Sequence, residues 1–133
     1  MKRIIIILMV ISSLAFGRKI IVKLATLAPE GTDWHGMLVE MGQEWKKATK
    51  GKVELRLYPG GVIGDERDMV RKMRIGQIHA AGMTTEGLSE IVPDFTAFYV
   101  PLAYQDSNDV NRVLDYMLPS LEYKLDESGF KLL

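Results

Sequence analysis

Polar side chains that could bind a small solute follow three predicted strands of this 133-residue chain. Hydroxyl and carboxylate groups in such positions form hydrogen bonds to a solute, which is the chemistry of binding more than of turnover. Two of the carboxylates, Glu66 and Glu86, could also form an acid–base pair, but a favourable charge at a helix start explains each of them better. The polar residues at the strand ends are Thr32, Glu66, Thr84, Thr85 and Glu86.

Sequence motifs of other chemistries are absent. Asp65 and Glu66 stand where a Walker A loop has lysine and serine or threonine, and two acids would repel phosphate. His35 and His79 belong to no HExxH pattern, and the chain has no cysteine, which argues against a metal site. Ser89 lacks the surrounding GxSxG of a hydrolase. The sequence therefore predicts no enzyme, no cofactor and no metal.

The stretch Val53–Arg67 (VELRLYPGGVIGDER) predicts a strand, a glycine loop and the start of a helix. Apolar and charged residues alternate at its beginning, which is the period of a strand. Pro59 and the two glycines after it end the strand, and Asp65 can cap a helix. Open α/β sheets bind ligands at such connections, although a plain connection without a ligand is the alternative.

Patterns on either side of this stretch predict further strands and helices. Lys19–Leu27 is β-rich and nearly continuous in apolar residues, as expected of a strand buried on both faces. A helix is expected from Thr32 or Asp33 to about Lys50, and a second one from Asp65 to Ile75. Gln77–Met83 predicts a short third strand at the sheet centre. The apolar stripe of the first helix comprises Trp34, Leu38, Met41, Trp45 and Ala48.

The C-terminal third predicts mainly helical structure. A short helix is expected over Leu88–Ile91, followed by a strand or extended segment over Phe95–Val100. A last helix begins near Asp106 and is expected to be kinked or split at Pro119, because proline lacks the N–H of the helical hydrogen bond. Phe130–Leu133 resembles the beginning of a strand.

The alternation of strands and helices predicts an α/β fold, with a mostly parallel sheet and flanking helices. In a parallel sheet the carboxyl ends of the strands lie at one edge. The connections near 27–31, 58–64 and 84–87 should therefore converge. This convergence is the main functional indication in the sequence.

Composition and the N-terminus indicate the compartment. The chain is 47% hydrophobic and has a formal net charge of zero, so nothing favours nucleic acid as a partner. Residues 1–17 combine a basic start, an apolar run and small residues at the end, which is typical of a secretory signal peptide. A retained membrane anchor is the alternative. A secreted chain without cysteine suits a bacterial periplasm or the cell exterior.

Several longer runs make a family recognisable. The chain resembles the N-terminal part of the DctP-type solute-binding proteins of TRAP transporters, the tripartite ATP-independent periplasmic carriers. The run with "YPGG-x-x-GDER" is the most specific one. The matching runs are LATLAPEGTDWH (Leu24–His35), GKVELRLYPGGVIGDERDMVRKMRIGQI (Gly51–Ile78), VPDF (Val92–Phe95) and YVPLAY (Tyr99–Tyr104).

This resemblance implies one lobe of a two-lobed periplasmic-binding-protein fold that closes over a small organic acid. The receptor would then deliver the solute to TRAP membrane permease subunits, without catalysis. Glu66 matches a position whose side chain faces the ligand cleft, and Thr84 matches a position that contacts the ligand at the end of the third strand. Thr85 is the polar residue next to Thr84. Leu27 and Ala28 match the cleft lining, and Thr32 belongs to its rim.

The sequence also departs from the family pattern. Leu27 is apolar where some members have a polar contact, and Gly87 has no side chain where some have arginine, which leaves the solute class open. Members are roughly twice as long as one such domain. Residues 18–133 are therefore expected to be an N-terminal lobe whose second lobe, with the carboxylate-binding arginine, is absent. A standalone module that dimerises or binds a sensor partner through the exposed lobe surface is the alternative function.

Overall fold

The computed structural model describes residues 18–133, so the predicted signal peptide at 1–17 lies outside the described residues. Strands and helices alternate along most of the chain, which confirms the predicted α/β class. The elements are β1 (Ile20–Thr26), α1 (Asp33–Ala48), β2 (Val53–Tyr58), α2 (Glu66–Arg74), β3 (Ala80–Gly82), α3 (Thr85–Ser89), a 3₁₀ helix (Pro93–Tyr99) and α4 (Ser107–Glu127).

The sheet of the described residues has three parallel strands in the order β2-β1-β3. Ala25 of β1 lies opposite Tyr58 of β2 and Ala81 of β3, so all three strands end at the same edge, as predicted. The expected central position of the third strand is wrong. The centre belongs to β1, whose buried Leu24 and Ala25 come from the nearly continuous apolar run.

Capping side chains begin the first two long helices. The Thr32 hydroxyl accepts a hydrogen bond from the backbone N–H of His35 at 3.3 Å and begins α1. The Asp65 carboxylate accepts one from the N–H of Asp68 at 2.9 Å and begins α2. Both starts agree with the sequence prediction.

Helix α1 packs closely on β2 through Gly42, where an added Cβ would lie 3.1 Å from Leu55 Cβ. No residue of this helix is fully buried. The expected inward position of Trp34 is wrong, because its side chain is 71% exposed, and Ala48 is exposed as well. Only the middle of the predicted stripe faces the sheet.

Most of the buried apolar residues form two separate groups. One, the sheet cluster, contains Ala25, Met69 and Ile78 and joins β1 to α2. The other, the helix cluster, contains Val92, Phe95, Leu121 and Leu125 and joins the 3₁₀ helix to α4. Two clusters rather than one mean that contacts between them must determine their relative orientation.

Two predictions for the C-terminal third are wrong, both of them strands. Phe95–Val100 lies mostly in the 3₁₀ helix, which begins at Pro93 and places Phe95 in the helix cluster. Helix α4 runs through Pro119 as one element, which excludes the predicted split there, whereas the kink stays a prediction. Phe130–Leu133 forms no strand.

Between residues 18 and 133 no helix is long and apolar enough to cross a bilayer.

Helix α3 begins at Thr85, three residues before the predicted start at Leu88. The Thr84 hydroxyl caps it by accepting from the N–H of Gly87 at 3.4 Å. Likewise β3 covers only Ala80–Gly82 of the predicted strand at Gln77–Met83.

Leu125→Ala should lower the free energy of unfolding by about 2–5 kcal/mol, because it leaves a cavity in the helix cluster. Leu125 is 1% exposed, whereas Tyr123 on the same helix is 65% exposed. Tyr123→Ala is therefore the matched control and should change the free energy by about 0.5 kcal/mol or less. Urea denaturation followed by circular dichroism measures both. Equal losses for the two variants would contradict the assignment of this core.

Acid should destabilise the fold through three carboxylates. A hydrogen bond from Lys19 lowers the pKa of Glu54, one from Lys124 lowers the pKa of Asp94, and one from the Gln105 backbone lowers the pKa of Asp109. The unfolded chain binds these protons at higher pH than the folded one, so stability falls as the pH drops below about 4.

Lys124→Gln should make this loss of stability shallower, because Asp94 then titrates closer to its unfolded pKa. The measurement is the urea midpoint between pH 7 and pH 3. Lys47→Gln serves as the control, since Lys47 is exposed and pairs with none of the described carboxylates. An unchanged slope for Lys124→Gln would contradict the role of the Asp94 pair.

Candidate functional site

The connections after β1 and β2 are hydrogen-bonded to each other at the edge where the strands end. The N–H of Gly60 donates to the Ala28 carbonyl at 2.9 Å, and the N–H of Gly61 donates to the Thr26 carbonyl at 3.1 Å. Gly60 and Gly61 have φ of +63° and +68°, a conformation that side chains disfavour. The glycine loop therefore turns back over the end of β1 and places Leu27 beside it.

Glu66 joins the start of α2 to the end of β3. Its Oε1 accepts from the backbone N–H of Thr84 at 2.6 Å, and its Oε2 accepts from the Thr84 hydroxyl at 2.7 Å. The two carboxylate oxygens thus have separate donors on one residue. A carboxylate is also favoured in the first turn of a helix by the backbone dipole.

Gly87 of α3 packs directly against Glu66. A Cβ added at Gly87 would lie 2.7 Å from Glu66 Oε2 and 2.9 Å from its Cβ, closer than real contacts allow. Gly87 is buried although it lies in a short surface helix. An arginine here would require Glu66 to move.

A cavity of about 310 Å³ lies at this edge between α2 and α3. Four of its lining residues are acidic, and Arg67 is the one basic residue among them. The Arg67 Nε donates to Glu90 Oε1 at 2.8 Å, so its charge is already paired. The lining residues are Leu27, Asp65, Glu66, Arg67, Glu86, Gly87 and Glu90.

The structure brings most of the predicted site residues together. Leu27 and Glu66 line the cavity, Thr84 donates to Glu66, and Ala28 accepts from the glycine loop. Thr32 and Thr85 do not line this cavity. Thr32 caps α1, and Thr85 is the first residue of α3. Direct solute contact remains a prediction for all six.

Sequence reasoning missed Arg67 and Glu90 as parts of this site. The Arg67 side chain is 75% exposed, as expected of a basic residue on a solvated helix face. The spacing of Thr84, Gly87 and Glu90 predicts a shared helix face, but no local pattern identifies the residue that this face contacts. Residues three apart share one helix face, which here is turned toward α2.

A larger cavity of about 700 Å³ lies elsewhere, beside β3 and residues 129–133. Its lining is mainly apolar and includes Met73, Ile78, Leu88 and Phe130. These residues belong to the sheet and helix clusters or pack against them. This cavity therefore lies where the two clusters meet, whereas the polar cavity lies at the strand ends.

Comparison with known proteins places the chain in a family. The family model described as bacterial extracellular solute-binding protein, family 7 (DctP), matches residues 24–133. A solute-binding protein of Roseobacter denitrificans is 30% identical over 77% of this chain and 31% of its own length. An uncharacterized protein of Haemophilus influenzae is 31% identical over 92% of this chain and 37% of its own length. The chain thus spans about a third of the length of these curated relatives.

Solved structures of TRAP periplasmic solute-binding proteins have the same fold. One from Haemophilus influenzae, with bound L-gulonate, is 28% identical with a TM-score of 0.74 over 86% of this chain and 38% of its own. One from Citrobacter koseri, with bound D-glucuronate, is 29% identical with a TM-score of 0.68 over 80% of this chain and 36% of its own. One from Sulfurospirillum deleyianum, with bound succinate, has a TM-score of 0.77 and covers 87% of this chain and 38% of its own. Its sequence identity is only 20%, so this likeness supports the fold alone.

Gly87→Ala should lower the free energy of unfolding by about 1–3 kcal/mol, because the methyl group displaces Glu66 and weakens its bonds to Thr84. Gly36→Ala in α1 is the matched control. Its Cβ would meet nothing within 4 Å, so alanine should stabilise the helix by about 0.5–1 kcal/mol. Thermal or urea unfolding measures both changes. A neutral or stabilising Gly87→Ala would contradict the tight contact.

Proposed function

The chain belongs to family 7 of the bacterial extracellular solute-binding proteins, and we propose that it is the N-terminal lobe of a TRAP receptor for a small organic acid. The observation that carries this proposal is the convergence of three strand ends on the polar cavity. Open α/β sheets bind ligands at this edge because backbone groups and helix starts meet there. The six predicted site residues would then line or support one wall of the solute cleft.

The charges of this wall favour the hydroxyl end of a solute. Four carboxylates and one paired arginine line the cavity, so a free solute carboxylate would be repelled there. Carboxylate oxygens instead accept hydrogen bonds from hydroxyl groups. The relatives with bound L-gulonate and D-glucuronate hold solutes that carry several hydroxyl groups beside one carboxylate. The solute carboxylate would bind an arginine on a second lobe, as the family resemblance implies.

Localisation and partners follow from the same proposal. Residues 1–17 would act as a secretory signal peptide and direct the chain to the periplasm. There the receptor would close over its solute and deliver it to TRAP membrane permease subunits. This role needs affinity and release but no chemical step, so the protein would be a receptor and not an enzyme.

The receptor expressed from its whole gene, together with any second lobe that the gene encodes, should bind D-glucuronate or L-gulonate more tightly than succinate. Isothermal titration calorimetry measures the affinities. Glu66→Gln should weaken binding by about 10- to 100-fold, since it removes a charged hydrogen-bond acceptor from the cleft wall. Glu122→Gln is the control, because Glu122 is an exposed residue of α4 away from the cavity.

Residues 18–133 alone should bind none of these acids at micromolar concentration, because one wall cannot desolvate a solute. Micromolar affinity of this segment would contradict the single-lobe assignment. Failure of the whole gene product to bind any organic acid would contradict the receptor proposal. Light scattering that shows a well-defined dimer without acid binding would instead support the standalone module.

A further inference from the structure

Two consecutive residues of α2 contact both ends of the short helix α3. Glu66 accepts two hydrogen bonds from Thr84, the N-cap of α3. Arg67 donates to the carboxylate of Glu90, the C-cap of the same helix, at 2.8 Å. We call this set of five residues, completed by Gly87, the α2–α3 joint.

The joint is formed by one face of α3. Thr84, Gly87 and Glu90 are spaced three residues apart, and Gly87 in the middle lets the helix backbone reach the Glu66 side chain. A larger residue at position 87 would push the two end contacts apart. The three contacts together therefore define both the distance and the angle between α2 and α3.

The joint connects parts of the chain that pack separately. Met69 of α2 belongs to the sheet cluster. Leu88 of α3 and the following Ile91 pack against the helix cluster instead. A helix of five residues has little stability of its own, so α3 takes its position from its contacts.

Cavities remain where the two clusters meet. Both cavities, of about 310 and 700 Å³, lie between elements of the sheet cluster and elements of the helix cluster. On the side of the larger cavity, Arg74 lies 5.2 Å from the ring centre of Phe130. On the side of the polar cavity, the α2–α3 joint makes the connection.

We propose that Arg67 and Glu90 are positioning residues for solute binding: their ion pair holds the C-terminal end of α3 at the distance from α2 that the solute requires. The inference rests on the proposed function, because it assigns the polar cavity to the solute. Exposed ion pairs contribute little to stability. This pair acts on geometry instead, by keeping the cleft wall pre-organised before the solute arrives.

The test compares Arg67→Gln, Glu90→Gln and the double variant in the receptor expressed from its whole gene. D-glucuronate and L-gulonate are the probes in calorimetry, and hydrogen exchange reports the backbone amides of 85–89 without solute. Arg71→Gln is the matched control. Arg71 lies on the same helix, is 71% exposed and pairs with Asp68 within α2, away from α3.

Each single variant should weaken acid binding by about tenfold. The double variant should bind the acids as tightly as either single variant, because both substitutions remove the same ion pair. The α3 amides should exchange about fivefold faster in all three variants, because the helix end is released. The melting temperature should change no more than in Arg71→Gln.

Two results would overturn the inference. One is that Arg67→Gln has the same exchange rates of the α3 amides and the same affinity for the acids as Arg71→Gln. The other is a much larger loss for Arg67→Gln than for Glu90→Gln, which would mean that Arg67 contacts the solute itself. If the unaltered receptor binds neither acid, the proposed function fails for these solutes. The exchange rates of α3 then still decide whether the pair positions this helix.

Discussion

The carboxylate of Glu66 accepts both the N–H and the hydroxyl hydrogen of Thr84, and the arrangement of the cavity depends on this pair of bonds. They place the end of β3 against the start of α2, next to the end of β1. Without them, the strand ends would still share an edge, but α3 would lose two of its contacts with α2 and keep the Arg67–Glu90 pair. A carboxylate suits this position because it accepts two bonds at once and lies in the first turn of a helix.

The separation of the apolar core into two clusters explains why polar contacts matter so much here. Burial of apolar surface is non-directional, so it holds each cluster together without fixing how the clusters meet. Hydrogen bonds and ion pairs have preferred distances and angles, and can therefore set this geometry. The consequence is a cavity wall whose shape depends on a few named side chains, while the stability of the chain depends mainly on others such as Leu125 and Met69.

The cavity carries four carboxylates and one paired arginine. Glu66 and Asp65 already accept hydrogen bonds from the protein, which reduces their repulsion of an anion without abolishing it. If the cavity binds the proposed organic acid, its charge is the main constraint on that solute. A solute with hydroxyl groups at one end and its carboxylate at the other would satisfy this wall, whereas a solute with an anionic group at both ends would not.

The sequence by itself determined the three strands of the sheet, the starts of α1 and α2 and the edge at which the strand connections meet, because these depend on local patterns. Alternation in Val53–Tyr58, the cap at Asp65 and the apolar run of β1 are each readable within a few residues. Its errors lie where distant contacts override local preference. Phe95 lies in a 3₁₀ helix, where it packs against Leu121 and Leu125 in the helix cluster, although its local sequence predicts a strand. Only the tertiary structure revealed that Arg67 meets Glu90 and that Gly87 must lack a side chain, because both depend on the distance between two helices that no local pattern encodes.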